Sequence, residues 1–176
     1  AGESNSNPTP SMKIPKNLFE SRFDFFNSPE PCVRALQKFC LSWLVKSIGE
    51  MSGYDAKTLA LLSVNSHTWF HVTRKGGYFA LHNHPMACWS GVYCVDPGDA
   101  AIDETDGAIS FLNPMGIANM FVDAGNNHLK PPFSCKNFTM QLRAGELILF
   151  PSFLLHQVLP YHGTRERITV AFNCWF

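Results

Sequence analysis

From residue 67 onward, eight short runs rich in aromatic and β-branched residues follow one another: "HTWFHVT", "YFALHNH", "CWSGVYCV", "AISFLN", "FTMQLR", "ELILFP", "LHQVLP" and "RITVAFN". Turn-forming stretches such as "RKGG", "DPGD", "RAG" and "HGTRE" separate several of them. Such runs are strands, because branched and aromatic side chains suit a pleated surface and Gly, Pro and Asp break it. Eight strands in series, each too short to be stable alone, point to a double-sheet jelly roll, a double-stranded β-helix.

Ahead of the strands, "PEPCVRALQKFCLSWLVKSIGEM" reads as a helix. Val33, Leu36, Cys40, Trp43 and Ser47/Ile48 give it one apolar face, with Pro29 and Pro31 at its start and Gly53 beyond its end. "AKTLALLS" reads as a short second helix. The chain is therefore mainly β with N-terminal helices. Residues 1–27 are expected to be mostly irregular and residues 28–176 one domain, with helices at about 30–62 and the jelly roll at about 66–176. The loop "NPMGIANMFVDAGNNHLKPP" lacks periodicity, and loops of that length often border a site.

Fifteen Phe and four Trp indicate an aromatic interior or apolar pocket. Fourteen basic residues balance fourteen acidic ones, so no basic stripe argues for nucleic acid or an anionic membrane. No apolar run is long enough to span a bilayer. The six cysteines have no C-x-x-C spacing and mostly lie in apolar runs, as buried thiols of a reducing compartment do. With no signal-peptide pattern, the expected location is cytoplasmic.

Within this frame two histidines stand one residue apart, His82 and His84. Residues at i and i+2 of a strand share a face, so their rings project together. The spacing alone is compatible with a shared metal and equally with packed or solvated rings. His156, 72 residues beyond His84, is a third imidazole that a barrel can return to the same place. Two ligands on one strand and one on a later strand suit iron, zinc, copper or nickel. Eleven residues further on, Arg167 and Thr169 share a strand face, and a guanidinium beside a hydroxyl can hold a carboxylate. His71 and Trp69 are candidates to line the pocket, although a surface position suits His71 as well. His128 and His162 lie in loops.

H-x-H followed by "SGVYCV", then "GELILFPSFLLHQVLP" and "RITVAFN", resembles the Fe(II)/2-oxoglutarate-dependent oxygenase superfamily, and within it a small branch with an H-x-H...H pattern. The resemblance covers roughly residues 66–173. It implies Fe(II) held by His82, His84 and His156, and 2-oxoglutarate held at its far carboxylate by Arg167 and Thr169, with a hydrogen bond from Tyr78. It also implies oxygen-dependent hydroxylation of a C–H bond in a small-molecule or amino-acid-like substrate. His84 stands where most of the superfamily has Asp or Glu, which leaves the site one unit more positive; Asp96, Asp103 and Asp106 are the alternative carboxylates. Three further readings compete. The first is a three-histidine thiol dioxygenase of the cupin type, partly matched by Gly76, Gly145 and Pro151 but lacking the expected Glu at Cys88 and Asn at Pro160. The second is a hydrolytic zinc site, and the third a non-catalytic barrel that binds a metal or small ligand.

Overall fold

The computed structural model describes residues 6–8, 17–101, 105–114, 121, 123–130 and 132–176. After strand β1 (Leu18–Glu20) and a single 3-10 turn (Phe25–Asn27) come α1 (Pro31–Ser52) and α2 (Ala56–Ala60). Strands β2 (Asn65–Thr73), β3 (Phe79–His82), β4 (Trp89–Asp96), β5 (Ile109–Phe111), β6 (Phe138–Met140), β7 (Leu147–Pro151), β8 (His156–Val158) and β9 (Arg167–Trp175) follow. Each of the eight runs read from the sequence overlaps one of these strands. β1, inside the stretch expected to be mostly irregular, adds a ninth by pairing along β2.

The strands form two antiparallel sheets, β1-β2-β9-β4-β7 and β3-β8-β5-β6, in a jelly-roll-like arrangement. β9 shows why the sheets enclose a site. Its even-numbered residues Val170, Phe172 and Cys174 join Val33, Cys40, Leu44 and Ile48 of α1 in the largest apolar cluster. By the two-residue period its odd-numbered residues Arg167, Thr169, Ala171, Asn173 and Trp175 face the other way, into the space between the sheets. A second cluster of Ile109, Phe111 and Phe150 packs between the sheets away from α1.

α1 begins at Pro31, whose missing N–H costs nothing in a first turn, and ends at Gly53 in the left-handed conformation (φ 66°). Its buried stripe corrects the sequence reading at one position. Leu44 faces the sheet, whereas Trp43 is 44% exposed and lies under the Lys46 ammonium, 4.6 Å from the ring centre. Cys32, Cys40, Cys88, Cys94 and Cys174 are free thiols. Cys40, Cys94 and Cys174 are buried as expected, and burial pushes Cys40 and Cys174 up to about 12, so they act as small apolar residues. Cys32 and Cys88 are exposed instead. Among the described residues no helix is long and apolar enough to cross a membrane.

One glycine is required by close approach. Gly91 lies opposite Phe172 in the β4–β9 ladder, and a Cβ there would come 2.2 Å from the Phe172 ring. That ring is completely buried and has no room to retreat. Gly91→Ala is expected to destabilise the protein by about 1–3 kcal/mol, as overpacked cores do. Urea midpoints check this; an unchanged midpoint would mean that the ring shifts freely.

Candidate functional site

β3 and β8 are neighbours in the smaller sheet, and their register sets His82 directly opposite His156. His84 does not lie on β3, as the sequence suggested, because that strand ends at His82. It stands in the turn beyond, where its backbone N–H donates to the Ser152 carbonyl at 2.9 Å. That bond ties the turn to the end of β7. The ring centres lie 4.3 Å (His82–His156), 4.9 Å (His82–His84) and 5.1 Å (His84–His156) apart. One ligand atom from each ring falls within 4.8 Å of the other two. Nitrogens sharing one ion at about 2.1 Å lie at most about 4.2 Å apart, so rings this close together can share a single metal.

The outer nitrogens are already occupied. His82 Nδ1 lies 2.7 Å from the Ala80 carbonyl, and His156 Nδ1 lies 2.8 Å from that of Leu154. A carbonyl can only accept, so both Nδ1 atoms carry the proton and both Nε2 lone pairs point away from the backbone. Metal-binding histidines are commonly oriented in this way. Phe79 lies 4.7 Å from His82, Phe150 4.8 Å from His156 and Trp69 6.2 Å from His84, which walls the rings with apolar surface.

Burial disfavours the charged form in all three rings. It takes His84 from 6.5 to about 3, His156 to about 4, and lowers His82 as well. Metal-free protein therefore binds fewer protons folded than unfolded in this range. Its full stability is present above about pH 6.5 and is lost as the pH falls toward 4 and 3. Urea midpoints on metal-free protein at pH 7.5 and 5.0 measure this, and the midpoint is expected to drop at pH 5.0. His84→Gln should shrink the drop; an equal drop would exclude His84 as its source.

A cavity of about 910 Å³ runs from these rings between the sheets. Arg167 and Thr169, 6% and 3% exposed, lie on its wall. Asp99 fastens the turn that delivers them, accepting hydrogen bonds from Thr164 N, Thr164 Oγ1 and Arg165 N at 2.5–2.8 Å; these bonds hold its carboxyl down at about 2. No carboxylate meets the Arg167 guanidinium, and no hydrogen bond to its side chain forms among the described residues. A buried cation without a partner is costly. Its presence in a wall beside three neutral imidazoles fits a ligand that supplies a carboxylate. The donor set fits iron(II) together with a keto diacid: neutral nitrogens for the metal, a bidentate fork and a hydroxyl for the distal anion.

Tyr78 lines the same cavity and is 44% exposed. Trp69 and His71 also stand in the wall. Of the alternative carboxylates, the two that are described are engaged elsewhere. Asp96 pairs with Arg165 at 2.8 Å, Asp106 accepts from His162 N at 2.7 Å, and Asp103 lies outside the described residues. His128 is exposed, as is His162. Residues 115–120, 122 and 131 of the long loop are likewise outside the described set. The sequence reading missed Asn173 and Trp175, which the period of β9 would have supplied, and Glu20, whose place on β1 nothing in its neighbourhood signals.

A family model described as "Putative 2OG-Fe(II) oxygenase" matches residues 67–173. No curated protein matches the chain. Among solved structures, an oxidoreductase of the 2OG-Fe(II) oxygenase family from Burkholderia pseudomallei is similar with a TM-score of 0.56 at 11% identity, over 90% of this chain and 68% of that one. A prolyl-4-hydroxylase from Pseudomonas putida gives 0.55 at 18% identity, over 89% and 67%. A prolyl hydroxylase from Trichoplax adhaerens, in complex with a hypoxia inducible factor oxygen degradation domain peptide, gives 0.54 at 16%, over 96% and 70%. At these identities the likeness is one of fold.

Proposed function

Because the chain belongs to the family of 2OG-Fe(II) oxygenases that this model describes, and is thereby an oxidoreductase using Fe(II), 2-oxoglutarate and oxygen, we propose that it hydroxylates a C–H bond of a small-molecule or amino-acid-like substrate. Residues 28–176 act as one oxygenase domain. The observation that carries this reading is the pairing, in one cavity, of three neutral histidines with a buried guanidinium that has no anion of its own.

In this reading His82, His84 and His156 hold the iron. Bound iron with 2-oxoglutarate and oxygen supplies the oxidising power, and the protein supplies position and shelter. The Ala80 and Leu154 carbonyls keep two of the rings in the ligating tautomer, so no proton has to leave before metal binds. Arg167 and Thr169 hold the distal carboxylate, and Tyr78 borders the same space. Phe79, Phe150 and Trp69 keep water from the rings, which protects a reactive centre from side reactions. Three neutral ligands leave the iron site one unit more positive than a site with a carboxylate ligand. Arg167 beside Thr169 suits the far carboxylate of a keto diacid.

The test is oxygen-dependent conversion of 2-oxoglutarate to succinate by iron-loaded protein. Turnover is expected with iron and absent with zinc. Zinc-loaded protein that hydrolyses esters, with no succinate formed by the iron-loaded protein, would overturn the proposal.

A further inference from the structure

Beyond the metal ligands, the cavity wall holds one group the chemistry above does not use. Glu20, on β1, has a side chain that is only 6% exposed, and it is the only carboxylate lining the cavity among the described residues. Among the described residues Arg167 is the only Lys or Arg on that wall, and the two do not pair. One buried cation and one buried anion therefore face the same space separately. If 2-oxoglutarate answers the cation, the anion remains to be answered.

The hydrogen bonds around Glu20 sharpen the point. Asn7 Nδ2 donates to Oε1 at 2.8 Å, and Oε2 lies 3.0 Å from His71 Nε2. The same Nε2 lies 3.2 Å from the Trp69 indole N–H. An imidazole nitrogen either donates one hydrogen bond or accepts one. It cannot donate to Glu20 and accept from Trp69 together, so one of these two buried groups goes unserved. An N–H donor arriving from the cavity at Glu20 Oε2 resolves the conflict: Nε2 then accepts from Trp69, and both the carboxylate and the indole are served. Beside them the Phe23 and Trp69 rings, 4.8 Å apart, offer an apolar surface of the kind that receives the methylenes next to a cationic nitrogen. The wall continues to the metal ligands: His71 stacks on Phe79 at 5.4 Å, and Phe79 lies 4.7 Å from His82.

We propose that Glu20, with His71 and Trp69, is the substrate-recognition subsite of this cavity, and that the group it takes is a protonated amine on an aliphatic chain. The assignment of that amine to a substrate rests on the oxygenase reading; the binding of the amine does not. Glu20 and Trp69 are its direct contacts, and His71 is a positioning residue.

The experiment compares pentylammonium with the nearly isosteric neutral 1-pentanol at pH 7, by ligand-observed saturation-transfer NMR on the full chain without iron or 2-oxoglutarate. Pentylammonium is expected to bind about tenfold or more tighter, as hydrogen bonds to buried charged groups do. In Glu20→Gln, which keeps the shape and removes the charge, that preference should fall to about one. Circular dichroism checks the fold. If Glu20→Gln does not fold, Glu20→Asp, which retracts the carboxylate by one methylene, should reduce the preference. Equal binding of the two probes to the unaltered protein, or a preference that survives these variants, overturns the proposal. Iron content, measured separately, reports on the metal site: iron binding lost with ammonium selectivity intact would contradict the oxygenase reading and leave this subsite in place.

Discussion

Arg167→Met is expected to change two quantities in opposite directions. In the protein without 2-oxoglutarate, the guanidinium is a buried charge with no partner among the described residues. Burial alone disfavours its charged form, and an arginine cannot escape by losing its proton. Methionine fills much of the same volume without a charge, and replacing buried charges by apolar residues of similar size is often stabilising by about 1–4 kcal/mol. The urea midpoint of the cosubstrate-free variant should therefore rise. Affinity for 2-oxoglutarate should fall at the same time. Removing one member of a buried, hydrogen-bonded charge pair costs about 2–5 kcal/mol, a weakening of about 30-fold or more. Iron content should stay unchanged, because Arg167 comes from β9 and the three rings from β3, the turn after it and β8. Calorimetric titration and urea denaturation on one preparation read both effects. A fall in metal and cosubstrate binding together, with lower stability, would make Arg167 a structural residue.

His156→Leu should cost the protein its iron. His156 is 4% exposed, packs on Phe150 and Phe111, and has its Nδ1 held by the Leu154 carbonyl. Leucine has a similar volume and suits those neighbours, so the metal-free variant should fold with a loss of about 1 kcal/mol, the worth of the hydrogen bond. Loss of a residue that merely orients a ligand weakens metal binding about 10–100-fold; loss of a ligand should exceed that range. Anaerobic titration with Fe(II) measures it. His128→Ala, an exposed loop position, is the control and should bind iron as the unaltered chain does.

The strands could be read in advance because each carries its own chemistry: branched and aromatic residues in runs, separated by glycine and proline. The histidines could be read because three imidazoles and an arginine beside a threonine are an unusual expense in an apolar barrel. What escaped depended on pairing. β1 is three residues long, and only the register of β2 makes it a strand, so Glu20 gave no sign of facing the cavity. The exchange of Trp43 for Leu44 on the face of α1 came from a spacing ambiguity of one residue, which tertiary packing resolved in favour of the side chain that fits the sheet. His84 left the strand because its backbone bonds to Ser152 rather than continuing the ladder, yet its ring reaches the same point in space.

In the proposed reading His82, His84, His156 and Arg167 serve one iron and one keto diacid. The most direct measurement of this is the visible spectrum of protein given Fe(II) and then 2-oxoglutarate without air. A metal-to-ligand charge-transfer band is expected to appear on the second addition, and to need at least about 30-fold more 2-oxoglutarate in Arg167→Met. Iron that binds the three histidines with no band at any 2-oxoglutarate concentration would contradict it.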